Sequence, residues 1–429
     1  MIRDRRLARS IAAIAIPAVI TNITTPILAL SDVAILGHAG SAVLLAAIAV
    51  GGTMFNLLYW LFGFLRMGTS GLTAQTYGSA GNTRVVLYQA LGLATCIGLT
   101  MIVLQIPLER LLLSLIEADA PAAALASSYF RICIWGAPAS LGMSALTGWC
   151  VGMQNSRLPM WTSIFINLLN IALSLVLVFG AGMKIEGVAL GTLTAQWAGF
   201  LLTLLFIGRH YGFRRVSVAS CFRGLGRLFS INTDILLRTV CLVGVSVWFT
   251  RQGAAQGDVM LATNVLLLQF FTFFSFFMDG LAFAGEALVG KYFGRSDARM
   301  LRRSVRYLLV AGGGVALLFT IVYAVGADMV CGWLTTDERV VASAAEYSLW
   351  VASIPVMGFM AFSWDGIFIG LTATRSMLLS MAVAAAVYFA VCFIAFPVMG
   401  NHGLWLAFVT YLLTRGIVLS ICYRRRRIR

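Results

Sequence analysis

The sequence predicts an all-α integral membrane protein of twelve transmembrane helices, arranged as two six-helix bundles related by a pseudo-two-fold axis along the membrane normal. Three observations carry this: apolar segments of bilayer-spanning length, basic residues concentrated in alternate connections, and an internal repeat of about half the chain. Of 429 residues, 60% are hydrophobic and only 11% charged, where a soluble domain carries roughly a quarter charged. Crossing about 30 Å of hydrocarbon takes roughly 20 helical residues, and the apolar material breaks into pieces of that size. They fall at 11–36, 43–68, 85–107, 128–151, 160–181, 187–208, 229–250, 259–285, 305–327, 346–370, 377–399 and 403–423.

The first run is too long for a signal peptide, carries Asn22, Thr25 and Asp32, and lacks a short apolar core ending in a cleavage site. It reads as a retained first helix. The net charge of +15 is distributed in a way that excludes a nucleic-acid arm, which would be a single patch. Arg3, Arg5, Arg6 and Arg9 precede the first span, and Arg66, Arg84 and Arg157 follow on the same side. Next come Arg209, Arg214, Arg215, Arg223 and Arg227, then Lys291 through Arg306, then Arg375 and the run Arg424–Arg427. The opposite connections are poor in cations and partly acidic, with Glu109, Glu117 and Asp119 in one and Asp328, Asp337, Glu338 and Glu346 in another. An excess of cations on one side places both termini in the cytoplasm.

Displacing the chain against itself by about 216 residues gives matches that stay in order. Leu45-Ala46 meets Leu261-Ala262, and Ser70-Gly71-Leu72 meets Glu286-Ala287-Leu288. Gly142 meets Gly358, and Gly187 meets Gly403. With a two-residue insertion, Gly152–Arg157 meets Gly370–Arg375. Six helices return the chain to its starting side, so the two halves share one orientation. The predicted division is an N-terminal lobe over 1–208, a basic linker over 209–228 and a C-terminal lobe over 229–429. Two similar lobes around a cleft are the usual basis for alternating access.

A charge inside hydrocarbon is costly, so an intramembrane acid is a functional candidate. Four acids lie well within predicted spans: Asp32, Asp234, Asp279 and Asp365. Thr21, Thr25, Leu28 and Asp32 form one helical stripe, with Asn22 and Pro26 in the same helix. The missing N–H of Pro26, and its ring against the Asn22 carbonyl, should kink or soften the helix. The fifth span repeats the stripe with Ser163, Asn167, Asn170 and Ser174, and the sixth with Thr192, Gln196, Gly199 and Thr203. Together they predict a polar cavity in the N-terminal half; interhelical hydrogen bonding is the simpler use of such residues, at about 0.6–2 kcal/mol each. In the C-terminal half, Asp234 and Arg238 at i, i+4 predict a self-neutralising pair. Asp279 ends a stripe with Asn264, Thr272 and Ser275, and Asp365 adjoins Trp364. Six phenylalanines between Phe270 and Phe277 surround their helix, so at most one or two can line a cavity.

No metalloprotease, Walker or nucleophile-elbow motif is present, and the three histidines are far apart, so an enzyme is not predicted. Eight scattered cysteines without a CxxC pair indicate neither a disulfide framework nor a metal site. ATP-driven transport would need a nucleotide domain, for which the chain has no room.

The segment Ile20–Gly40, ITNITTPILALSDVAILGHAG, closely resembles the first helix of the multidrug and toxic compound extrusion (MATE) family, most of all its DinF branch. Further resemblances run along the whole chain: LRMGTSGLTAQTYG (65–78), NLLNIALSLVLVFG (167–180), NTDILLR (232–238), DGLAFAGEALVGKYFG (279–294) and DGIFIGLTATR (365–375). The resemblance implies a twelve-helix antiporter of the bacterial inner membrane. It would export amphipathic, often cationic, compounds against inward proton or sodium flow, with membrane lipids as its surroundings and no cofactor or obligate protein partner. Asp32 matches the family's first-helix acid, implicated in proton coupling and, through Pro26, in helix bending. Asn170 matches the fifth-helix residue that partners it. Ser174 departs from relatives with Asp or Asn there, and Gln196 stands where a close relative has Glu. That leaves Asp32 as the N-terminal acid and leans towards protons. One proton suffices: about 2.3 kcal/mol per 100 mV and about 1.4 kcal/mol per pH unit support roughly a hundredfold gradient or more of a neutral solute. The alternative is a lipid-linked precursor flippase of the same superfamily, which would need several free cations in its cleft.

Overall fold

The computed structural model describes residues 2–38, 42–116, 119–212, 225–335 and 337–427. Arg214, Arg215 and Arg223 of the predicted linker fall outside the described residues, as does the side chain of Thr25. All regular structure among the described residues is helical. Among the described residues eleven segments are long and apolar enough to cross a bilayer. The twelfth is a broken helix, and with it the predicted count of twelve holds.

The chain divides into two compact units. The N-unit comprises Ile16–Phe229, and the C-unit comprises Ser230–Arg429 together with the N-terminal residues through Ala15. Helix α1 (Ile2–His38) runs without interruption through Pro17 and Pro26. It is followed by α2 (Ala42–Leu61), α3 (Phe64–Gly78), α4 (Thr83–Val103) and α5 (Gln105–Ile116). The remaining N-unit helices are α6 (Ala120–Cys133), α7 (Ala137–Gly152), α8 (Arg157–Leu175) and α9 (Ile185–Tyr211). The C-unit holds α10 (Leu225–Ala254, which begins just before it), α11 (Asp258–Gly294), α12 (Ala298–Leu334), α13 (Glu338–Glu346), α14 (Ser348–Gly370), α15 (Thr374–Met399) and α16 (Asn401–Arg427).

Prolines explain where the helices break. Pro107 clashes with the carbonyl four residues back, Val103, which is where α4 ends, and is itself tolerated in the first turn of α5. The repeat-related residue is Tyr323, and α12 continues through it. The fourth span, predicted at 128–151, extends over 120–152 and is interrupted by a 3₁₀ turn at Ile134–Gly136 ahead of Pro138. Sequence reading begins it at 128 because 120–127, largely alanine after Pro121, lacks the hydropathy of a spanning segment.

The repeat is reproduced in backbone detail. Non-glycine residues adopt left-handed φ at Ala80 (55°) and Ser296 (57°), 216 apart, and at Gln154 (68°) and Thr372 (49°), 218 apart. Each such residue follows a helix whose end is closed by a six-to-one amide bond: Gly81 N to Thr76 O at 2.8 Å and Asp297 N to Tyr292 O at 3.0 Å, then Asn155 N to Cys150 O and Ala373 N to Phe368 O, both 2.9 Å. The helix crossings correspond too. A Cβ at Gly148 of α7 would lie 2.3 Å from the Arg66 carbonyl oxygen, and one at Gly366 of α14 would lie 2.3 Å from that of Ala282. Small residues permit such close helix contact in a membrane, where hydrophobic drive between helices is absent.

Candidate functional site

Each unit contains a buried polar cluster, and the two are built differently. In the N-unit, Asp32 lies on α1 and is 8% exposed, and its Oδ1 is buried without a hydrogen-bond partner. Two α6 side chains, Tyr129 and Cys133, are close enough to feel its charge. The Tyr129 ring packs against α2 at Gly51, where a Cβ would lie 2.6 Å from its Cδ1. Thr192 Oγ1 accepts from Asn170 Nδ2 at 2.8 Å, and Asn170 Oδ1 accepts from Ser174 Oγ at 3.4 Å. Gly191 lets α9 close onto Ser174, since a Cβ there would lie 2.7 Å from its Oγ.

Three predicted residues, Asn170, Ser174 and Thr192, therefore come together. Asn170 does not partner Asp32, as the resemblance implied; its amide is engaged by Thr192 and Ser174. Asn167 Nδ2 instead donates to the Thr24 carbonyl at 3.0 Å, and Thr24 Oγ1 lies 3.3 Å from Ser163 Oγ. These contacts tie α8 to α1 just before Pro26. Thr21 donates to the Pro17 carbonyl at 2.9 Å, Asn22 is half-buried and Pro26 is exposed. Gln196 Oε1 is buried without a hydrogen-bond partner and lies over Gly136 at the break of the fourth span. Tyr129 was not singled out from the sequence, because an aromatic residue in an apolar span carries no signal of its own.

In the C-unit, Asp365 on α14 is also 8% exposed, but it is fully paired. Its Oδ2 accepts from Arg238 Nη2 of α10 and from Arg415 Nη2 of α16, the latter at 2.6 Å. The Arg415 guanidinium lies 5.5 Å from the Tyr411 ring centroid and 5.9 Å from that of Phe362, a cation–π setting for a buried charge. The expected pair between Asp234 and Arg238 does not form. Arg238 reaches across to Asp365, while Asp234, one turn earlier and half-buried, accepts from Thr374 Oγ1 at 2.6 Å. Helical spacing placed the two residues on one face without deciding which neighbouring helix each would meet. Asp279 is half-buried on α11. Asn264, from the same predicted stripe, belongs to a separate brace: it exchanges two amide hydrogen bonds with Asn401 and accepts from Trp405 Nε1 at 2.9 Å. Glu286, 1% exposed on α11, was passed over because the predicted span ended one residue before it.

Comparison with known proteins agrees with this architecture. The MatE family model matches residues 17–176 and 236–394, one stretch in each unit. The chain is 37% identical to the DNA damage-inducible protein F of Escherichia coli K12, over 96% of this chain and 91% of that protein. It is 24% identical to the multidrug resistance protein MdtK of Edwardsiella ictaluri, over 98% and 95%. A multidrug resistance MATE family transporter of the MOP superfamily, solved in an outward-facing conformation, has the same fold with a TM-score of 0.86 at 19% identity, covering 97% of this chain and 95% of that one. The chain belongs to the MatE family of multidrug efflux transporters.

Proposed function

We propose that the protein is a proton-coupled antiporter which exports amphipathic, often cationic, compounds by alternating access, with Asp32 as the coupling carboxyl. Both termini face the cytoplasm of a bacterial cell in this reading, on the strength of the loop charges. The observation that carries it is the state of Asp32: buried, with Oδ1 lacking a hydrogen-bond partner and with no salt bridge among the described residues. A carboxylate so placed costs several kcal/mol unless something neutralises it. A proton or a cationic substrate can each do so, and they exclude one another at a single carboxylate, which is what exchange requires. The proton reading is favoured over sodium because Ser174 and Gln196 supply no second carboxylate. The lipid-linked precursor flippase is disfavoured because Arg238 and Arg415 are both engaged by Asp365.

Proteoliposomes with the proton and sodium gradients clamped in turn test this reading. Export of an amphipathic cation should follow the proton gradient alone and release protons when substrate is added. Asp32→Asn should abolish both effects. Full proton-driven export by that variant would remove Asp32 from the mechanism, and export driven by sodium alone would replace the coupling ion.

A further inference from the structure

The repeat supplies an internal control for one feature outside the two buried clusters. In the N-unit, the turn between α3 and α4 borders a cavity of about 330 Å³ lined by Arg84, Trp149 and Tyr211. Arg84 is engaged there: its Nε donates to the Gly212 carbonyl at 3.0 Å and its Nη2 to that of Tyr211 at 2.6 Å. The equivalent turn of the C-unit, between α11 and α12, borders a larger cavity of about 540 Å³, closed on its other side by the first turns of α1. Arg6, Arg295 and Arg299 line it, and none of their guanidinium groups makes a hydrogen bond or ion pair among the described residues. Among the described residues Asp297 is the one acid in the lining, and its Oδ1 is already accepting from Met300 N at 2.9 Å as the cap of α12. Repeat-related turns thus border one cavity whose arginine is satisfied and one whose three arginines are not.

We propose that the C-unit cavity binds the phosphate of an anionic lipid headgroup. Guanidinium forks match phosphate oxygens in pairs, and the start of α12 adds its partial positive charge. The volume is that of a small-molecule site. Its position fits a lipid, since the lining residues flank the ends of three spanning segments, Arg5–Gly37, Asp258–Gly294 and Ala298–Ala327. A soluble phosphate ester offers the same chemistry but would not be concentrated at that level.

The full-length protein in phosphatidylcholine nanodiscs, titrated with phosphatidylglycerol and read by native mass spectrometry, provides the test. Arg295 and Arg299 are exposed, so their replacement should leave thermal unfolding in pure phosphatidylcholine unchanged. The pair Arg295→Gln and Arg299→Gln should weaken phosphatidylglycerol binding roughly thirtyfold, about a factor of five per arginine. Arg302→Gln with Arg303→Gln removes the same charge from α12 outside the cavity, and should change binding less than about twofold. Equal losses in both pairs would mean diffuse surface attraction and overturn the site, as would no loss in either. A second arm titrates inorganic phosphate and glycerol 3-phosphate against the protein in pure phosphatidylcholine. Binding there below millimolar concentration, lost in the cavity variant, would give the site to soluble phosphate and overturn the lipid assignment.

Discussion

Asp32 and Asp365 are equally buried acids in repeat-related units, and they are held in opposite ways. Asp365 receives two guanidinium groups on one oxygen, one of them flanked by the rings of Tyr411 and Phe362. Among the described residues Asp32 has no cation paired with it, and Oδ1 lacks even a hydrogen-bond donor. A buried carboxylate braced by two arginines has its charge fixed, because losing it would strand both cations. A carboxyl that must gain and lose charge has to be left unpaired. The N-unit keeps its polar side chains neutral around the acid, and the C-unit puts its ions into a lock. Intramembrane acids are therefore not equivalent evidence of function; the partners decide.

Charge removal is the strongest way to break this contrast. Asp32→Asn should cost about tenfold per unit of pH gradient in the cation gradient the protein sustains, the worth of one proton exchanged without net charge, and leave thermal stability unchanged or slightly raised. Asp365→Asn should do the reverse. Two buried guanidinium groups lose their shared anion, which costs about 3–5 kcal/mol, visible as a large drop in unfolding temperature and folded yield. Replacing Asp365 by Leu together with Arg238 and Arg415 by Met should recover most of that stability, since a well-packed apolar core is often as good as a buried ion network. If Asp32→Asn unfolded the protein while Asp365→Asn only stopped transport, the two roles would be exchanged.

Smaller effects sharpen the comparison by testing what the units share. Gly148→Ala and Gly366→Ala each drive a methyl group to within 2.3 Å of a backbone carbonyl at repeat-equivalent crossings. Neither carbonyl can swing away as a flexible side chain would, so each variant should lose about 1–3 kcal/mol, the usual cost of overpacking. Thermal unfolding of the two should agree within experimental error. A large difference would mean that the α3–α7 and α11–α14 crossings only look alike.

The sequence made the shared frame readable and left the partners hidden. Segment lengths, loop charges and the 216-residue offset depend on one-dimensional spacing, and the structure reproduces the repeat down to the left-handed turns at Ala80 and Ser296. The polar stripe of α8 was legible for the same reason, since helical period alone puts Asn167, Asn170 and Ser174 on one face. Which helix each would meet was not. Spacing pairs Arg238 with its i−4 neighbour, whereas it crosses to Asp365; the family resemblance pairs Asn170 with Asp32, whereas it bonds Thr192. Tyr129 and Glu286 escaped for simpler reasons: one looks like any apolar-span aromatic, and the other lay a residue beyond an uncertain boundary.

The weakest expected effect concerns an ion pair that belongs to neither cluster. Glu109 on α5 lies outside the spanning helices and accepts from Ser127 Oγ and from Arg131, whose Nε is 2.9 Å from Oε2. Burial alone would push its carboxyl up, but the hydrogen bonds from Arg131 and Ser127, with the charges of Arg131 and Arg110, outweigh it and hold it below the ordinary glutamate range. An acid depressed by folding contributes stability above its unfolded value, near 4.5, and loses it as pH falls through the folded value. The Arg131 side chain is 64% exposed, so solvent and salt screen the pair and its contribution is small. The unfolding-temperature difference between the parent protein and Glu109→Gln should be constant from neutral pH down to about pH 5 and shrink below that. It should also shrink in high salt at pH 7. A difference that grew on acidification would mean that burial, not Arg131, governs Glu109, and that the N-unit holds a second acid able to take up a proton.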